Sequence, residues 1–223
     1  MKENELPYVI LSAAMTIDGK IASKIGDPEI SDEEDWKSVH KLRTEVDAIM
    51  VGKGSIIKDN PKLHIKYYDH KGYRRIVLDS NLSIPIESNV VTFKPEIYPT
   101  IIITTENAPT TKIKKFELKN VEIIKSGKGH NVDVVKLMPI LYKKGIKKIL
   151  LEGGGNLNWS FIKNNLVDEI RITIAPWMVG GKDAVSLVEG EGFEKMRESS
   201  RYYLSDVNWR DNYVTIKYKK EEL

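Results

Sequence analysis

The chain contains no cysteine. That absence excludes disulfides, thiolate catalysis and cysteine-ligated zinc before any motif is considered. It also has no apolar run near the roughly 20 residues that a membrane-spanning helix needs. Histidine is scarce. His40, His64, His70 and His130 are scattered, without H-E-x-x-H or any other metal-ligand spacing. With no G-x-S-x-G and no arguable Ser–His–Asp order, neither metal-dependent nor covalent catalysis is expected. A surplus of one charge is missing as well. Lys and Arg total 35 against 32 Asp and Glu, a net charge of +3. These charges are interspersed, which argues against nucleic acid or a membrane as a partner. The N-terminus Met1-Lys2-Glu3-Asn4-Glu5-Leu6-Pro7 is polar and acidic, unlike a signal peptide, so a soluble cytoplasmic protein is expected.

What is present suits one α/β domain over residues 1–223, with 41% hydrophobic residues to build a core. Apolar runs at Tyr8–Met15, Val46–Val51, Arg75–Leu78, Thr100–Thr104, Val121–Lys125, Lys147–Leu151 and Glu169–Ala175 read as strands. Helices are expected from a capping box at Ser31/Glu34 to about Glu45, over Val132–Lys144 with Gly145 as its stop, and from about Asn156 to Asn164. The C-terminal runs Arg201–Trp209 and Tyr213–Lys219 alternate around Asp211-Asn212 and predict an antiparallel hairpin. The picture is a mixed, mostly parallel sheet flanked by helices.

The richest segment is Ile149-Leu150-Leu151-Glu152-Gly153-Gly154-Gly155-Asn156-Leu157. A strand ends in a carboxylate, breaks into three glycines and re-enters a helix. Glycine admits close approach of a ligand to backbone N–H groups, and the helix N-terminus favours an anion such as a phosphate. A tight turn with no ligand is the competing reading, and location at a strand's carboxyl end favours the cradle. Gly52-Lys53-Gly54-Ser55 follows another strand, but Ile57 stands where a dinucleotide fingerprint would need its third glycine. There Ser55 can donate to a ligand, and Asp59 either accepts from one or merely starts the Asp59-Asn60-Pro61 turn. Asp18 and Lys20 form either a proton-transfer pair or a solvated corner. Arg43 is either a cation at a helix C-terminus or a bidentate phosphate clamp.

The order of the motifs says more than any one of them. T-I-D-G-K-I-A at 16–22, L-R at 42–43, V-G-K-G-S at 51–55 and D-N-P at 59–61 are followed by R-I-V-L-D-S at 75–80. L-L-E-G-G-G-N-L at 150–157, L-V-D-E at 166–169, A-P at 175–176 and G-G at 180–181 complete the series. It resembles the riboflavin-biosynthesis reductases, of dihydrofolate-reductase-like fold, over about residues 7–219. The resemblance implies the stand-alone archaeal or fungal type, NADPH (NADH less so) as hydride donor, and a phosphorylated ribosylaminopyrimidine that still carries both amino groups. It implies a homodimer. Gly153, Gly154, Gly155, Asn156 and Leu157 would hold the cofactor diphosphate, with Ser55, Asp59 and Ser80 as further cofactor contacts. Lys20, Asp18 and Glu152 would stand at the reacting ribosyl group, Glu152 also facing the pyrimidine. Arg43, with Leu63 and Lys66, would bind the substrate and its phosphate. Another pteridine or pyrimidine reductase, dihydrofolate reductase included, is the near alternative. A non-catalytic NADPH sensor is the distant one.

Overall fold

The computed structural model describes residues 5–221; of the polar N-terminal segment, residues 1–4 lie outside that range. In chain order the first elements are β1 (Tyr8–Thr16), β2 (Lys20–Ala22), α1 (Glu33–Arg43), β3 (Ala48–Gly52), α2 (Lys53–Asp59) and β4 (Arg74–Leu78). Then come α3 (Asn89–Thr92), β5 (Thr100–Thr104), α4 (Thr110–Glu117), β6 (Glu122–Lys125), α5 (Val134–Lys143) and β7 (Lys148–Leu151). The last are α6 (Gly155–Lys163), β8 (Glu169–Ala175), β9 (Val185–Ser186), β10 (Tyr202–Arg210) and β11 (Tyr213–Lys220). Most strand pairings are parallel, and the C-terminal hairpin is antiparallel.

The chain forms two compact units. One comprises His40–Leu150 with residues 5–7. Its strands lie in the order β7-β3-β4-β5-β6, with β3/β4, β4/β5 and β5/β6 all parallel. Met50, Ile76, Ile102 and Leu150 are fully buried. Near-continuous apolar runs such as these belong to strands covered on both faces. Helix α5 illustrates how sequence sets an element's ends. Asp133 caps it by accepting from the Lys136 N–H at 3.1 Å. At its other end Gly145 (φ 80°) donates to Tyr142 O and Ile146 N–H to Leu141 O, the paired bonds of a Schellman motif. Pro139 is accommodated inside it.

The second unit comprises Tyr8–Val39 and residues 151–221, and its described strands run β10-β11-β8-β1. Here β1 and β8 are parallel, while β8/β11 and β10/β11 are antiparallel. A separate two-stranded ribbon pairs β2 with β9. The start of α1 differs from the Ser31 capping box. Asp32 is the cap, its Oδ1 accepting from the Asp35 N–H at 2.8 Å, while Ser31 Oγ donates to the Asp35 carboxylate at 2.6 Å. Asp32, not Ser31, sits directly before the first helical residue, where its carboxylate can accept from a first-turn N–H, so the cap falls one residue later than expected. Among the described residues no helix is long and apolar enough to cross a membrane.

Candidate active site

Thr16 ends β1 and organises the turn after it. Its hydroxyl donates to Asp18 Oδ1 at 2.6 Å and accepts from the Lys20 N–H at 2.9 Å, while Gly19 (φ 79°) donates to the Thr16 carbonyl. The T-I-D-G-K motif is therefore one hydrogen-bonded corner at the carboxyl end of a parallel strand. Asp18 reaches out of it to accept from the N–H groups of Val179 (3.1 Å) and Gly180 (2.7 Å). The Thr16 hydroxyl and these N–H donors lower the Asp18 pKa to about 2. An exposed carboxylate so firmly ionised suits holding the 177–181 loop, where Gly180 and Gly181 take positive φ, more than donating a proton.

Lys20 is aimed rather than free. Its ammonium donates to Ser186 Oγ at 2.9 Å and to the Ala184 carbonyl at 3.2 Å. An ammonium has three N–H donors, so one remains for a ligand.

The glycine run has three glycines for three reasons. At Gly153 (φ 74°) a Cβ would lie 2.9 Å from the Asn158 side-chain amide. At Gly155 it would lie 2.6 Å from the Ser186 carbonyl, so this glycine makes room for the chain's own segment. Only Gly154 of the three, at φ 88° and ψ 137°, has nothing within 4 Å of its Cβ position. Open space there fronts the N-terminus of the nine-residue α6, which has no side-chain cap. That combination fits an anionic group such as a cofactor diphosphate. Leu157 is buried, which leaves its backbone N–H as the part suited to a ligand. The Asn156 amide donates to Glu189 at 2.7 Å. Glu152, half-buried, directly follows β7.

In the other unit, Ser55 lies on the first turn of α2 and Asp59 on its last residue. Gly52 thus ends β3 and Lys53-Gly54 open α2 directly, with no glycine turn between strand and helix. Ser80 follows β4 in a loop built by the buried Asp79, whose carboxylate accepts from the N–H groups of Asn81, Ser83 and Ile84. The Ser80 carbonyl is fixed by the hydroxyls of Thr104 and Thr105.

Arg43 and Lys66 are brought together. Arg43 Nη1 donates to the His64 carbonyl at 2.9 Å, and the Lys66 N–H donates to His40 Nδ1 at 2.9 Å. Burial, reinforced by Arg43, His64 and Lys66, lowers the His40 pKa to about 4; burial first and then Arg43 also lower that of His64. The histidines are therefore neutral, and the positive charge is carried by Arg43 and the lysines. Leu63 (φ 43°) is buried in this loop. Behind it the fully buried Arg75 donates to the carbonyls of Lys62, Asn89, Phe93 and Tyr98. Nothing in the sequence pointed to that anchoring role or to Ser186, and Thr16 and Asn158 lay within or beside quoted motifs without a role of their own.

Among the described residues no group of three or more His, Asp and Glu is placed to hold a metal ion. The arrangement is of the dihydrofolate-reductase class of α/β fold. A dihydrofolate reductase of Enterococcus faecalis superposes with a TM-score of 0.56 at 10% identity, over 96% of this chain and 97% of that one. A structure of Acinetobacter baumannii RibD superposes with a TM-score of 0.80 at 22% identity, over 97% of this chain and 58% of that one.

Residues 7–214 match the family described as the RibD C-terminal domain, and the chain belongs to that family. It is 40% identical over 198 residues to the 2,5-diamino-6-ribosylamino-4(3H)-pyrimidinone 5′-phosphate reductase of Aquifex aeolicus, covering 86% of this chain and 87% of that protein. The enzyme of the same name from Methanothermobacter thermautotrophicus is 42% identical over 201 residues, covering 89% and 91%.

Proposed function

We propose that this chain reduces 2,5-diamino-6-ribosylamino-4(3H)-pyrimidinone 5′-phosphate to its ribitylamino product, with residues 1–223 acting as one cytoplasmic reductase domain. The observation that carries this reading is identity of 40–42% across nearly the full length of both chains in each pair. A reductase of this fold implies a nicotinamide cofactor, and NADPH is the proposed one, ahead of NADH. When bound, it supplies a hydride.

The protein's own part is orientation and charge. The ribosylamine opens to an imine. As the hydride forms a C–H bond at C1′, the C=N pair moves to nitrogen, which takes up one proton. Lys20 places an N–H donor to polarise or protonate the ribosyl group, and Glu152 faces the pyrimidine or the ribosyl amine. Asp18 orders the 177–181 loop beside them. Gly154 and the first-turn N–H groups through Leu157 receive the cofactor diphosphate, with Asn156, Ser55, Asp59 and Ser80 as further contacts. Arg43 and Lys66 hold the substrate phosphate, and Leu63 shapes their loop.

Dihydrofolate reduction is disfavoured by α1. Of Glu33, Glu34 and Asp35 only Asp35 is buried, and its carboxylate is taken up by Ser31, Arg171 and Thr173. A homodimer is proposed from β10, an outer strand with exposed Leu204, Val207 and Trp209.

The test is loss of reduced-nicotinamide absorbance with the diamino substrate, its deaminated counterpart and dihydrofolate in parallel. Turnover with the diamino compound in clear preference is expected. Turnover only with dihydrofolate, or none despite tight NADPH binding, overturns the reading.

A further inference from the structure

Among the described residues the shortest strand is β9, only Val185–Ser186. Its partner β2 has three residues, and the ribbon pairs Lys20 directly with Ser186. So small a ribbon buries little and adds few backbone bonds, so its contribution to stability is slight. What it does achieve is to set the Ser186 hydroxyl 2.9 Å from the Lys20 ammonium, with the Ala184 carbonyl as second acceptor.

The ribbon is also fixed from several sides. The Leu187 N–H donates to the Gly19 carbonyl, the residue before Lys20. The buried Asn158, one turn into α6, donates from its amide to the Leu187 carbonyl at 2.7 Å. The Glu189 N–H donates to the Gly155 carbonyl, and the Glu189 carboxylate accepts from Asn156. One segment, residues 184–189, thus grips both the lysine and the glycine turn. The absence of a side chain at Gly155 is what lets it lie so close.

We propose that Ser186 is a positioning residue for Lys20. Its hydroxyl fixes one of the three ammonium N–H vectors, and the Ala184 carbonyl fixes a second. The third is thereby directed to the substrate. Lysine is a point charge on a flexible four-carbon stem, and without such a fixture it samples many directions. Misplacement of a reacting group by about 1 Å can cost on the order of a hundredfold in rate. This inference rests on the role given to Lys20 under the proposed function.

The experiment compares Ser186→Ala, Ser186→Thr and Lys20→Gln in the full chain, measuring kcat, the KM for substrate, NADPH affinity and melting temperature. Ser186→Ala is expected to lower kcat roughly tenfold, with NADPH affinity and melting temperature near those of the parent. Ser186→Thr keeps the hydroxyl and is expected to recover most of the loss. Unchanged kcat in Ser186→Ala overturns the proposal, as does an equal loss in Ser186→Thr, which would mean packing rather than the hydroxyl matters. Lys20→Gln separates the two readings. Full turnover in that variant removes the role of Lys20 itself, whereas its loss beside an unimpaired Ser186→Ala removes only the role of Ser186.

Discussion

Asp35 and Arg171 form an ion pair at 3.3 Å with both side chains almost wholly buried, 3% and 6% exposed. Ser38 accepts from the same guanidinium at 2.8 Å, and the Thr173 hydroxyl donates to Asp35 at 2.6 Å. Removing one partner of a buried pair leaves the other charge unsolvated. Arg171→Met is therefore expected to destabilise the protein by about 3–5 kcal/mol. Removing both charges, in Asp35→Leu/Arg171→Met, should cost less than the two single losses together. Denaturant unfolding of the four proteins measures this, and strict additivity would show that the pair is not coupled.

His40 gives stability a pH dependence of known sign. Its folded-state pKa of about 4 lies below the ordinary 6.5, so the unfolded chain binds the proton more readily. Its contribution is intact above pH 6.5 and is lost as pH falls from there toward about 4. The loss attributable to it is on the order of 2–3 kcal/mol. Protonation would also break the bond that Nδ1 accepts from the Lys66 N–H. In His40→Asn the unfolding free energy should fall less between pH 7.5 and 5. His64 and His70, shifted in the same direction by burial, add to the slope with the same sign.

The adjacent glycines should fail differently. Gly154→Ala forces a side chain into a backbone conformation that is nearly glycine-only, at a cost of about 1–3 kcal/mol, and fills the space before α6. NADPH affinity should drop at least tenfold, an order-of-magnitude expectation for a blocked phosphate site. Gly155→Ala instead presses on the Ser186 carbonyl and should disturb Lys20, with turnover falling more than NADPH affinity. Fluorescence titration beside steady-state kinetics distinguishes them. Unaltered NADPH binding by Gly154→Ala would contradict the cradle.

Arg43→Ala should lower kcat/KM for the phosphorylated substrate by about 30–100-fold, the scale of a charge-assisted hydrogen bond. On the dephosphorylated ribosylamine the variant and the parent should be alike. An equal loss on both substrates would assign Arg43 to holding His64 alone.

How legible was all this? The strands of the core were, because long apolar runs have one stable place in an α/β protein, and Glu169–Ala175 is found with the bounds its pattern implies. The hairpin turn at Asp211 and the Gly145 stop were also plain, since few residues tolerate positive φ. Helix α4 escaped notice because its lysine-rich run has a short apolar face, Ile113 and Phe116. Ribbon β2/β9 is too short for any periodicity to register. His40 and His64 looked scattered, yet their rings lie 6.2 Å apart, since the loop that carries His64 folds back on the end of α1. Lys20 and the three glycines could be picked out from their motifs. What could not be read was that Gly155 yields to Ser186 rather than to a ligand, a contact between distant parts of the chain.

Hydride delivery to C1′ can be followed with NADPH dideuterated at C4. After turnover with the diamino ribosylamine phosphate, mass and NMR spectra should show a single deuterium, at C1′ of the ribityl chain. A product without deuterium, or with deuterium on the pyrimidine ring, would contradict it.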